Sequence, residues 1–116
     1  MFPYGHIPDR VHNYEDLKKI GESAVAAIKK THGKVYVTGS SIETIYPNSG
    51  SSMDYVYHAY NIPITFTIEL RGPKDTPNLF ILPANEIRPT AEEIMASFVA
   101  ALNEARSLGY YKRDEL

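Results

Sequence analysis

At 116 residues, with 43% apolar and 22% charged content, the chain can bury about two thirds of its unfolded surface in one core, as an ordinary globular domain does. Its formal charge of -2, with no basic run, leaves no electrostatic footprint for nucleic acid. No cysteine is present, which excludes disulfides and thiolate metal sites, and no apolar run approaches the length that spans a bilayer.

Residues 1–13 carry Pro3 and Pro8 and no sustained period, so they read as an irregular leading segment without a signal peptide, with Phe2 and Tyr4 packed inward. Asn13 is placed to cap a helix over residues 14–32. Glu15 and Asp16 lie in its first turn, Leu17, Ile20, Ala24, Ala27 and Ile28 recur at helical spacing, and Lys29 and Lys30 precede a Gly33 stop. Residues 34–38, K-V-Y-V-T, are β-branched and aromatic and predict a strand.

A loop over residues 39–50 follows, broken by Pro47, Asn48, Ser49 and Gly50. Ser51 or Ser52 then caps a short helix to Tyr60, with Asp54 in its first turn. Residues 64–70 predict a second strand with Pro63 at its start. Residues 71–78 have turn composition, and residues 79–82 are a candidate third strand closed by Pro83. Thr90 and Glu93 have capping-box spacing, and Ile94, Phe98, Ala101, Ala105 and Leu108 line one face of a last helix that Gly109 stops. Long helices alternating with strands imply an α/β layer architecture, and the whole of residues 1–116 reads as one folded unit.

The four histidines, His6, His12, His32 and His58, show no metal-ligand spacing, so no zinc is expected to bind this chain by itself; nucleophile-elbow, P-loop and dinucleotide motifs are also missing. Residues 113–116, Arg-Asp-Glu-Leu, approximate an endoplasmic-reticulum retention address, on a kind of charged tail that is common without meaning.

The alternation of residues 64–69 puts Thr65, Thr67 and Glu69 on one face, which an ordinary polar surface explains as well as a site does. Tyr46, on the loop, reads equally as amphipathic surface or as a mobile hydrogen-bond donor.

One set of residues goes further. The run S-S-I-E-T-I-Y-P-N-S-G-S-S-M-D-Y over residues 40–55, followed by F-T-I-E-L-R over 66–71, resembles the C-terminal half of the zinc metallocarboxypeptidases of the pancreatic carboxypeptidase A and B type. Similarity extends to F-P-Y-G at residues 2–5, to residues 22–28, and to F-I-L-P-A-N-E-I-R-P-T-A-E-E at 80–93. The family's H-x-x-E zinc pair and later histidine ligand have no counterpart in these residues.

The resemblance implies half of a three-layer α/β/α sandwich of the zinc-dependent exopeptidase fold, its mostly parallel or mixed sheet completed by residues not in this chain. It implies zinc in the full-length enzyme and peptide substrates with a free C-terminal carboxylate, met outside the cell. Glu69 then matches the general base that acts on zinc-bound water and later as general acid toward the leaving amine. Tyr46 matches the tyrosine that closes over the bound peptide. Ser41, Ile45, Asn48, Ser51, Met53 and Thr67 match the pocket for the substrate's last side chain, and Arg71 the arginine after the glutamate.

The B-type enzymes hold an aspartate where this chain has Met53, so an apolar or aromatic last residue is favoured over a basic one, a preference that polar Ser41 and Asn48 blunt. Gly72 stands where the family has an acidic residue, which puts the ion pairing of Arg71 in question. A second reading is a non-catalytic module on the same fold, self-associating through a bare sheet edge and apolar surface to form a homodimer.

Overall fold

The computed structural model describes residues 1–72 and 80–112. The first helix, α1, runs Tyr14–His32 as expected, and Gly33 ends it in the left-handed region (φ 72°), its N–H donating to the Lys29 carbonyl. Asn13 occupies the N-cap position, yet its side chain makes no capping bond; it is committed elsewhere. Leu17, Ile20 and Ile28 are buried, so the apolar stripe read from the spacing is the face α1 turns inward.

The loop expected over 39–50 contains a helix that sequence reading missed, α2, Ser41–Thr44. Four residues are too short for a periodic signal, and the turn is held by Thr44, whose N–H and hydroxyl both donate to the Ser40 carbonyl. Helix α3, Ser52–Tyr60, follows with Ser51 at its N-cap.

Three strand expectations are corrected. Among the described residues no strand ladder forms, and an isolated parallel bridge, Phe2 with Ser40, is the pairing present. Residues 34–38 and 64–70 are extended without a ladder, and of the candidate third strand Leu79 lies outside the described residues while Phe80–Leu82 is irregular. β-Propensity prepares a segment for pairing but supplies no partner, and Val35 and Val37 remain 77% and 75% exposed. The turn expected over 71–78 and the tail over 113–116 fall mostly or wholly outside the described residues.

The last helix, α4, runs Ile87–Ser107 and is preceded by a 3-10 turn, Ala84–Glu86. It therefore begins a turn earlier than the Thr90 capping box predicts. Pro89 is tolerated because first-turn N–H groups have no intrahelical partner. The inward residues of α4 are Thr90, Glu93, Ser97 and Ala105, whereas Phe98, expected inside, is 49% exposed. Small side chains let α4 lie against α1, and Gly21 does the same for the neighbouring extended segment: a Cβ there would sit 2.2 Å from Thr38 Oγ1.

The leading segment is part of the core, as its aromatics suggest. Phe2 is fully buried in a cluster with Val11, Tyr14, Leu17 and Tyr57, and Tyr4, Ile64 and Phe66 pack around it. Phe2 meets Tyr14 and Phe66 edge to face, at centroid separations of 5.3 and 5.9 Å. Its backbone is pinned on both sides: Phe2 N–H donates to the Gly39 carbonyl, Ser41 N–H donates to the Phe2 carbonyl, and Met1 and Thr67 exchange hydrogen bonds in both directions at 2.7 and 2.9 Å. The result is a slab of 38 × 35 × 19 Å.

A polar relay crosses the same core. Asn13 Nδ2 donates to the Pro63 carbonyl and to Tyr110 Oη, so Asn13 Oδ1 is left as acceptor for the Tyr57 hydroxyl at 2.7 Å. Tyr57 has no second proton, hence His12 Nδ1 at 2.8 Å is the donor to it. Tyr110 in turn donates to Asp16, closing the chain end onto α1. Burial, with Tyr4 and Tyr110 nearby, pushes the Tyr57 phenol up to about 12.

Candidate active site

The expected site residues fall into two groups. Ile45, Thr67, Glu69 and Arg71 line a groove of about 680 Å³ between the two extended segments, floored by α1 and α4 residues such as Ala24, Ile28 and Ala101. The second group is the stretch that carries the loop tyrosine. Ser41 and Met53 are buried, Ser51 and Asn48 are half-buried, and Tyr46 stands 65% exposed outside the groove that Glu69 lines. Its chain neighbour Ile45 is what joins the two groups.

Glu69 is exposed, at the end of an extended segment whose Ile64 and Phe66 face the core cluster. The Met1 ammonium, which donates to the Thr67 carbonyl, feels the Glu69 charge. Burial lowers that ammonium's pKa while Glu69 pulls it upward.

Arg71, two residues on, has partners that the sequence did not suggest. Its Nε donates to Glu93 Oε2 at 2.9 Å, its Nη1 donates to Glu86 Oε2, and its N–H donates to Tyr36 Oη. Burial works against the guanidinium charge, but the hydrogen bonds to the two carboxylates prevail and raise its pKa. The same contact with Arg71 holds the Glu86 carboxyl below its ordinary range. The acids that pair with Arg71 thus come from α4 and the turn before it, residues 93 and 86, not from the position of Gly72. Glu93 was read as half of a capping box; in the structure it is a buried residue on the inward face of α4.

Loop geometry is equally specific. Asn48 donates through Nδ2 to Ser41 Oγ and to the Tyr46 carbonyl, each at 2.9 Å, and its N–H donates to the Gly5 carbonyl at 2.8 Å. Asp54, on the first turn of α3, accepts from Gly5 N–H and pairs with His6 Nδ1, both at 2.9 Å on Oδ2. Glu43 accepts from the Tyr14 and Ser40 hydroxyls, and these bonds, that of Tyr14 foremost, hold its carboxyl below the usual range.

With this geometry in place, a sequence model of the family described as zinc carboxypeptidase matches residues 1–97. The chain belongs to the zinc carboxypeptidase family. It is similar to a zinc carboxypeptidase of Simulium vittatum, 44% identical over 99% of this chain and 38% of that protein, and to zinc carboxypeptidase A 1 of Anopheles gambiae, 43% identical over 96% of this chain and 26% of that protein. The backbone is similar to bovine thrombin-activatable fibrinolysis inhibitor, solved in complex with tick carboxypeptidase inhibitor. That match has a TM-score of 0.81 and 31% identity, and covers 91% of this chain and 36% of the other. This zinc carboxypeptidase chain therefore spans about a quarter to two fifths of the proteins it matches.

The metal that the family name implies has no seat in the part described. Among the described residues, no three His, Cys, Asp or Glu side chains converge as a metal-holding group. His6 is engaged by Asp54, His32 by Glu92 and His12 by Tyr57. No helix among the described residues is long and apolar enough to cross a membrane.

Proposed function

We propose that the chain is the C-terminal portion of a longer zinc carboxypeptidase that removes single residues from peptide C-termini. Its own share is proton transfer and side-chain recognition; the zinc of the full-length enzyme is held by other residues. In that protein, residues 34–38 and 64–70 become strands of the sheet in a three-layer α/β/α sandwich. The observation that carries the reading is Glu69 at a groove shared with Thr67 and Ile45, on a chain of this family.

Glu69 accepts a proton from the attacking water and delivers it to the departing amine, the two halves of general acid-base catalysis. Its exposed position leaves the carboxylate reachable by substrate. Tyr46, exposed on its loop, donates its hydroxyl to the peptide's terminal carboxylate. For the last side chain we assign Ile45 and Thr67, which line the groove with Glu69, together with Ser41, Asn48, Ser51 and Met53 on the stretch that Ile45 joins to it, and Arg71 supports the end of the Glu69 segment through its carboxylate clamp.

An apolar or aromatic last residue suits this pocket. Met53 carries no charge, and the carboxylate beside it, Asp54, is occupied by Gly5 and His6. The site of action is extracellular, in keeping with a peptidase of this family.

The test places Glu69→Gln in the longer protein. We expect kcat on a dipeptide with a blocked amine and a free carboxylate to fall by about 10²–10⁴-fold with KM little changed. An unaltered kcat would remove Glu69 from the reaction. The chain by itself is expected to hydrolyse no such dipeptide, and metal analysis finding one tightly held zinc per chain would contradict that division of labour.

A further inference from the structure

We propose that Asp54 is a positioning residue for the Tyr46 loop, acting across the leading segment instead of along the chain. The inference rests on the reading of Tyr46 as a ligand contact for its functional meaning, but the mechanical claim stands on geometry alone. Asp54 follows Tyr46 on the same stretch, at the start of α3, and no direct contact joins the two side chains.

The connection runs sideways. Asp54 Oδ2 accepts from the Gly5 N–H at 2.9 Å, and both residues are buried. The Gly5 carbonyl accepts from the Asn48 N–H at 2.8 Å. Asn48 Nδ2 then donates to the Tyr46 carbonyl and to Ser41 Oγ, which ties the loop to α2. Every link is a hydrogen bond of ordinary length, and the first has a charged acceptor, the stronger kind.

Two further features show that the geometry is demanding. Gly5 leaves no spare room, because a Cβ there would lie 2.5 Å from Asn48 Oδ1. Asp54 is 93% buried, and its Oδ1 has no hydrogen-bond partner among the described residues. A carboxylate held that way is costly unless its other oxygen is well used, and here that oxygen holds the peptide group on which Asn48 leans. An asparagine at position 48 therefore matters as a strut between Gly5, Ser41 and Tyr46. Its role as pocket lining is secondary in this account.

Hydrogen-deuterium exchange on the present chain tests the claim at the Asn48 amide and over residues 45–50. In Asp54→Ala we expect exchange there to rise by about tenfold or more, with the amides of α1 and α4 unchanged. Asp54→Asn, which keeps an oxygen for the Gly5 N–H, should recover part of the protection. A purely structural role would instead speed exchange across all helices together.

If Asp54→Ala fails to fold, Asp54→Asn decides, since it keeps an oxygen for the Gly5 N–H but loses the charge; a smaller rise confined to the same amides is expected. Unchanged exchange at Asn48 in both variants, or a uniform rise across the chain, overturns the proposal. A loosened loop with undiminished affinity of the longer protein for a C-terminal-carboxylate dipeptide upholds the strut and removes Tyr46 from ligand binding, so the two readings fail separately.

Discussion

Replacing Arg71 by alanine should cost this chain more than any surface change, and the reason can be worked from the coordinates. Glu93 is fully buried, Arg71 keeps only 14% of its side chain in solvent, and one of the Glu93 oxygens, Oε1, has no hydrogen-bond partner among the described residues. Taking away Arg71 leaves an uncompensated carboxylate in the interior, a change worth about 3–5 kcal/mol in comparable buried pairs. A domain of this size holds roughly 5–15 kcal/mol in total. The midpoint of thermal unfolding should therefore fall by about 12 °C or more, at roughly 4 °C or more per kcal/mol.

Far-ultraviolet circular dichroism reads the transition directly, because the described structure is mainly helical. The sharper comparison is with the double variant Arg71→Met with Glu93→Leu. If the cost is a stranded charge and not lost packing, the double variant should be more stable than Arg71→Ala. A loss below about 1 kcal/mol for Arg71→Ala, the value of an exposed pair, would refute the reasoning, as would a double variant no better than the single one.

Two further expectations follow from other parts of the molecule. Because the folded pKa of Tyr57 is pushed up to about 12 from an ordinary value of 10.0, its neutral form stabilises the fold fully below pH 10.0, and that contribution is lost as pH rises toward 12. Tyr57→Phe should flatten part of the alkaline stability loss, measured by urea unfolding across that range; an identical slope would remove Tyr57 as its source. The exposed Val35 and Val37 beside the open groove should drive the isolated chain into homodimers or larger species. Val35→Lys with Val37→Lys should shift sedimentation toward monomer, and a parent chain that is strictly monomeric at high concentration counts against the idea.

What the sequence made legible was what local chemistry determines. Helix α1 and its Gly33 stop, and α3 after Ser51, followed from periodicity and boundary residues, although neither Asn13 nor Ser51 makes a side-chain capping bond. What stayed hidden depended on distant partners. Asn13 sat at the right position for a cap but serves Pro63, Tyr110 and Tyr57; Glu93 had capping spacing but faces Arg71. Valine-rich residues 34–38 carried a strand's composition without a ladder to join. At the candidate site, the motif drew attention to Asp54 as a helix start, while its bonds to Gly5 and His6 required the leading segment to be placed in space.

The packing of α1 against α4 has a bearing on how the chain is made. Helix α4 follows α1 by a long stretch of chain, so the face of α1 that α4 covers emerges from a ribosome well before that cover exists. At about 5–20 residues per second, the part of α1 that α4 covers waits several seconds for that partner. Chaperone capture of the nascent polypeptide at α1 is the natural safeguard during that interval, and slowing translation between the two helices would lengthen the period of risk.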